Sequence, residues 1–212
     1  DNESNGGTGS APIVAGAPLD SVVLFLGHRG IIETDTTIQQ QFGQRIYGSG
    51  AFLPVYGSQT GAPALFAVPG GEAIVQEVAP MAMGEGEVEA AAIGSVPLFA
   101  TNTNSVIDHI TMIGGTHGVL VADSDNFLIK DNTIRDTHDT SILVLGSSPS
   151  GTIIGNDVRD SQNDALGIFP DSFNGEISWN NFSENDNNGI NTGGTTINAD
   201  IIHNKLNDNG DA

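Results

Sequence analysis

From residue 129 to residue 206, apolar and polar positions recur every 24 residues. Ile129, Ile153, Ile177 and Ile201 fall in one column, and Ile134, Val158, Phe182 and Leu206 in a second. Asn132, Asn156, Asn180 and Asn204 form a polar column between them. Ser141, Ala165 and Gly189 are small, and each precedes an apolar residue, Ile142, Leu166 or Ile190. Within one period the apolar residues come in short alternating runs bounded by Asn, Asp, Gly and Ser, without the spacing of an amphipathic helix. Each repeat therefore predicts two or three short strands joined by bends. One repeat buries little alone. Stacked on its neighbours at about 4.8 Å, it pairs every strand above and below, and the inward residues form continuous aliphatic stacks. The predicted fold is all-β: a parallel β-helix, or β-solenoid, with about 24 residues per rung in its C-terminal half.

The asparagine column fits this geometry in two ways. Asn tolerates the left-handed backbone of a sharp bend, and its amide can bond to the same amide one rung away. Upstream the pattern is less regular. Residues 21–26 predict a first buried strand, and 45–50 another, with Gly48 and Gly50 at tight bends. The stretch 69–94 is rich in Gly, Pro, Glu and Ala and departs from the rung pattern. It reads as an irregular early rung, or else as a flap on the solenoid. Met112 to Ile134 is a 22-residue step, after which the period holds at 24. Three regions follow: a flexible Gly/Ser/Asn linker at 1–19, irregular rungs at 20–104 with the excursion at about 69–94, and regular rungs at 105–212 that stop as though cut.

The segments LIKDNTIRD, TIIGNDVRD, EISWNNFSE and DIIHNKLND resemble the rungs of right-handed parallel β-helix, pectate-lyase-like proteins. Residues 36–50 and 96–121 resemble entry rungs of such repeats in large bacterial surface and secreted proteins. The resemblance spans about residues 20–212. It implies a right-handed coil and a secreted or cell-surface location, but no particular activity, since many chemistries share this scaffold.

Charge narrows the partners. Six Lys and Arg against 26 Asp and Glu give a formal charge of −20, which disfavours nucleic acid and anionic membranes. No apolar run reaches the length of a membrane span. There is no cysteine, so no disulfide staples the fold.

Four groups of residues could carry chemistry. Asp136, Asp160, Glu184 and Asp208 share one phase. Stacked carboxylates repel unless neutralised, which calcium would do; a solvated turn is the plainer reading. Glu184, Asp186 and Asn188 resemble half of an acidic calcium loop, and Asp123 and Asp125 make a similar cluster. Asp108 and His109 occupy positions matching a V-W-I-D-H segment of calcium-dependent pectate lyases, without its Trp and without the R-x-P-x-x-R that supplies the catalytic cation. His117, in GGTHG, resembles the G-H-G of polygalacturonases, but the carboxylates that family needs are misplaced; with His109 and His138 it offers a second metal reading.

The expected function is a structural or adhesive segment of an extracellular bacterial surface protein, stabilised by calcium. It would bind a glycan or host-surface ligand and associate end to end. The alternative is a polysaccharide lyase, epimerase or glycosidase.

Overall fold

A computed structural model describes residues 17–27, 31–56, 63–77, 96–148, 150–193 and 196–210. These residues wind as the expected right-handed parallel β-helix. Sheet 1 holds seven strands, from Val22–Phe25 through Val106–Asp108, Phe127–Lys130, Gly151–Ile154 and Glu176–Ser178 to Asp200–Ile202. Sheet 2 also holds seven, from Ile32–Thr34 through Ile110–Ile113 and Thr133–Arg135 to Lys205–Asn207. Sheet 3 holds six, from Ile38–Gln39 to Ile190–Asn191. The register is the one the columns predict: Ile129 pairs with Ile153, Ile153 with Ile177 and Ile177 with Ile201.

The core is the stack of inward residues. Ile107, Ile129, Ile153 and Ile177 are fully buried, as are Met112, Ile134, Val158 and Phe182 on sheet 2 and Val119, Ile142 and Leu166 on sheet 3. Each such side chain contributes roughly 1.5–3 kcal/mol by leaving water. At the last described rung the first two columns end in Ile201 and Leu206, which are 42% and 52% exposed because no further described rung lies beneath them. Gly151 and Gly175 leave room for aromatic rings: a Cβ on Gly151 would run into Phe127, and one on Gly175 into Phe173.

The asparagine column works differently from one half of the expectation. Asn132, Asn156, Asn180 and Asn204 do not adopt the left-handed conformation; the residues just before them, Asp131, Gly155, Trp179 and His203, do. The amide ladder is present. The Nδ2 of Asn132, Asn156 and Asn180 donates to the Oδ1 one rung on at 3.0, 2.9 and 2.9 Å. Each also donates to a carbonyl above, those of Ile107, Ile129 and Ile153. The backbone N–H groups of Asn132, Asn156 and Asn180 bond to the same Oδ1 atoms. A second ladder, at the other end of sheet 2, joins Asn185 to Asn209 at 2.7 Å.

The N-terminal rungs bring three corrections. The first strand is Val22–Phe25, and only Phe25 is buried; Val22 and Leu24 point to solvent because this strand alternates at the sheet's edge. Gly48 lies inside the strand Arg45–Gly48, not at a bend. It is small because a Cβ there would strike the His109 carbonyl, whereas Gly50 has φ +99° and does turn the chain. Within the irregular stretch 69–94, Ala73–Glu77 is a regular sheet 2 strand, pairing with Ile110–Ile113 and with Ile32–Thr34. Residues 78–95 and 1–16, where the rest of the excursion and most of the linker were expected, lie outside the described residues. Among the described residues, the one antiparallel element is a hairpin, Phe52–Tyr56 against Pro63–Ala67, which leaves the solenoid between two rungs.

Replacing Asn156 by Ala would orphan the buried Asn132 backbone N–H, remove the Asn156 bond to the Ile129 carbonyl and leave the Asn132 side chain with only the Ile107 carbonyl, and should cost about 3 kcal/mol. Asn204→Ala, at the half-exposed end of the ladder, should cost under about 1 kcal/mol because water can substitute. Urea unfolding midpoints measure both, and equal losses would contradict the ladder's role.

Candidate functional site

The bend between sheets 1 and 2 turns on a single left-handed residue in each rung. In order these are His109, Asp131, Gly155, Trp179 and His203, with φ 57°, 50°, 71°, 58° and 57°. Just before the bend, Asp108 ends its strand, paired in register with Tyr47 above and Lys130 below. The stacking thus brings Tyr47, Asp108, His109, Lys130 and Asp131 into one cluster.

Its geometry is tight. His109 Nδ1 lies 2.5 Å from Asp108 Oδ1 and 3.9 Å from Asp131 Oδ2. Lys130 Nζ lies 2.5 Å from Asp131 Oδ2 and 3.8 Å from Asp108 Oδ2. Asp108 is only 4% exposed, and Tyr47 above it packs on Ala51 and Val68 at the root of the hairpin. Burial and the Asp108 charge push the Tyr47 hydroxyl's pKa up, against the pull of Arg45 and Lys130. Burial alone would lower the Lys130 pKa, but its hydrogen bond to Asp131 and the charges of Asp108 and Asp131 outweigh it and the net shift is upward. One Asp108, one His109 and one Asp131 ligand atom fall within 4.8 Å of one another, close enough to share a metal ion. The same contacts would also fix the imidazole's orientation for proton transfer.

The other candidates are dispersed. His117 lies at the far end of sheet 2, buried, with Nδ1 2.6 Å from the Thr140 carbonyl. His138 faces Glu77 at 3.3 Å. The three histidines therefore do not converge. Asp136, Asp160, Glu184 and Asp208 stand in one column and are the left-handed residues of the second bend, φ 59°, 56°, 60° and 50°. Asp136 pairs with Arg135 at 2.7 Å. Asp123 Oδ1 accepts from the Ser147 amide, and Asp125 bonds to Ser150 and to the Asn126 amide. Asn188 donates through Nδ2 and backbone N–H to the buried Asp164. Among the described residues, none of these carboxylates joins a three-ligand group. An open concavity at the last rung is lined by Asp186, Asn188, Ile190, Leu206 and Asp208. It is a notch between neighbouring rungs, well removed from Asp108.

The family described as periplasmic copper-binding protein (NosD) matches residues 74–212. The chain belongs to the NosD family. No curated protein and no solved structure matches it. The NosD match covers Asp108, His109, Lys130 and Asp131 and all the regular rungs; Tyr47 and the hairpin lie before it. The family's periplasmic description agrees with the expected location outside the cytoplasm.

Lys130 and Asp131 could have been placed from the sequence, since the 22-residue step sets them under Asp108 and His109. Tyr47 could not, because the hairpin and residues 78–95 intervene between its strand and that of Asp108.

Beside His117, Asp139 accepts from Asn163 Nδ2 at 2.8 Å and from the Thr140 amide at 2.7 Å. Burial raises its pKa, but those hydrogen bonds and the charge of His117 outweigh it and hold the carboxyl below the usual range. A depressed folded-state pKa stabilises above the unfolded value and is lost as pH falls through the folded one. Asp139→Asn should therefore lower stability at neutral pH and flatten its decline below about pH 4. Unfolding midpoints between neutral pH and pH 3 read the difference.

Proposed function

We propose that this chain is an exported, rigid β-helix that serves as a binding scaffold: a stiff body holding a partner along its side, without turnover. The observation that carries this reading is how the titratable cluster is spent. Asp108 and Asp131 face the same His109 and Lys130, so their charges are answered within the protein. Glycoside hydrolysis asks instead for two carboxyls across an open groove, roughly 5–10 Å apart, one of them free to donate a proton. Among the described residues, the buried side-chain oxygens without a partner, on Ser21, Gln40, Thr101 and Asn181, lie outside the cluster. Incubation with neutral and acidic polysaccharides, with and without calcium, should release neither reducing ends nor unsaturated products. Turnover abolished by Asp108→Asn would replace this reading by the carbohydrate-active one.

A metal site is a second reading, favoured by the grouping of Asp108, His109 and Asp131 and by the family's description as copper-binding. One imidazole nitrogen and two carboxylates suit Cu(II) or Zn(II) better than Cu(I), which seeks thiolate and thioether sulfur. The chain has no cysteine, and Met112, the one of its three methionines among the described residues, is fully buried in the core. Calcium would find too few oxygens here; the carboxylates of the second bend, Asp136, Asp160, Glu184 and Asp208, offer it a looser surface. Lys130 holds the same two carboxylates, so a metal must displace its ammonium. Calorimetric titration with Cu(II) should show one site in the intact chain and none after His109→Ala. Copper binding unchanged by that substitution would rule the site out.

A further inference from the structure

The outer face of sheet 3 differs from the other two faces of the coil. Its strands, Ile38–Gln39, Phe99–Ala100, Val119–Ala122, Ile142–Leu145, Leu166–Ile168 and Ile190–Asn191, hold no charged residue. Of the described cations, Arg45 and Lys130 stand on sheet 1, and Arg135, Arg159 and Lys205 on sheet 2. Alternation points Leu120, Ala122, Leu143 and Leu145 outward between the buried Val119, Val121, Ile142 and Val144. Leu120 pairs with Leu143 and Ala122 with Leu145, and Leu143 pairs with Gly167 on the next rung. The Phe169 ring lies over Gly167: a Cβ there would meet Phe169 Cε2 at 2.7 Å and Leu143 Cδ1 at 3.3 Å, and a Cβ on Gly193 would strike the same ring. Two glycines thus leave room for the ring beside Leu143, where it stays 38% exposed. The result is an apolar strip of two columns about 7 Å apart. Acid borders it on both sides. Asp123, Asp125 and Asp171 follow the strip along the chain, and Asp139 and Asp186 precede it on their rungs. Among the described residues, none of these five carboxylates takes part in an ion pair.

We propose that this strip docks an amphipathic, basic helix of a partner protein, its apolar side chains on Leu120, Leu143 and Phe169 and its Lys and Arg flanks against the acidic borders. The inference rests on the binding-scaffold reading and names the class of its partner. The backbone of sheet 3 is spent on pairing between rungs, so an extended peptide laid across it would find no partners for its own N–H and C=O groups. A helix arrives with those groups already satisfied. With Ala100, which pairs with Leu120, the strip spans four rungs. That is roughly 15 Å, or about ten residues of helix, a length that one apolar helix stripe covers when it lies along the coil axis. Charge selects the flanks. Both borders are acidic and the chain carries −20, so a basic helix is drawn in, and an acidic helix or an anionic lipid is repelled. A second copy of this chain would bring another −20, and two columns over four rungs fall far short of the roughly 800 Å² a side that a stable dimer buries. The strip's own side chains offer a saccharide no hydrogen bond.

The intact chain is titrated at about 0.15 M salt, where exposed charges are screened beyond about 8 Å. The probe is a fluorescent peptide of about 18 residues, roughly five helical turns, with Leu on one face and Lys on the other. Anisotropy reads binding. A peptide of the same composition in shuffled order, and the same pattern with Glu for Lys, are the contrasts. The expected result is saturable binding of the amphipathic Lys peptide, at least about tenfold tighter than either contrast. Leu143→Ser and Phe169→Ala leave the charge unchanged and should each weaken that binding about tenfold. Ala122→Lys, at an exposed position, puts a cation on the strip and should weaken it likewise, which decides the matter where Leu143→Ser fails to fold. No binding of the Lys peptide overturns the proposal. So does equal binding of the shuffled peptide, or binding indifferent to all three substitutions. Self-association in sedimentation equilibrium that Phe169→Ala abolishes overturns it in favour of a contact between copies. Retention on phosphatidylcholine vesicles lost with the same substitution overturns it in favour of lipid. Each of these failures leaves the scaffold reading standing, because that reading falls only to turnover of a polysaccharide.

Discussion

The fold depends on one contact repeated: an asparagine amide that donates to the asparagine of the next rung and to a carbonyl of the rung above. A parallel β-helix must turn its chain sharply in every coil, and each turn strands backbone groups that strand pairing cannot reach. Buried without partners, such groups would each cost on the order of 1–3 kcal/mol. The side chains of Asn156, Asn180 and Asn204 accept from the backbone N–H groups of Asn132, Asn156 and Asn180 inside the stack. Because each amide bonds in both directions, the rungs are held in one register, and the aliphatic columns beside them can pack without slipping.

That division of labour explains what could be read from the residues alone. The inward columns were legible because a solenoid imposes a fixed step on every side chain it buries. Once Ile129, Ile153 and Ile177 align, sheet register follows without any knowledge of the bends. The bends were legible only in part. Asn suits both a left-handed backbone and an amide ladder, and spacing alone does not separate the two; the structure assigns the left-handed role to the residue before it. The early rungs were least legible. The hairpin between Phe52 and Ala67 and the long stretch after Glu77 break the step, so the pairing of Tyr47 with Asp108 has no signature in spacing.

The candidate site follows the same logic. His109 and Asp108 could be singled out by type, but their surroundings come from neighbouring rungs: Lys130 and Asp131 from below, Tyr47 and the hairpin root from above. By contrast, Asp123 and Asp125, which look acidic and unoccupied in the sequence, spend their oxygens on Ser147, Ser150 and Asn126. A carboxylate's identity says little in this fold until the rungs adjoining it are known. Membership in the NosD family sets the scaffold, and the side chains at the bends set what the scaffold can hold.

The single-residue bend makes the edge of this molecule an addressable row of pegs. Its positions are set at a constant pitch by the backbone, and their side chains stand outside the aliphatic columns. Histidine, aspartate, glycine, tryptophan and histidine already succeed one another there. A lineage can therefore rewrite the lettering along that edge one peg at a time, changing what is recognised while the wound interior stays as it was.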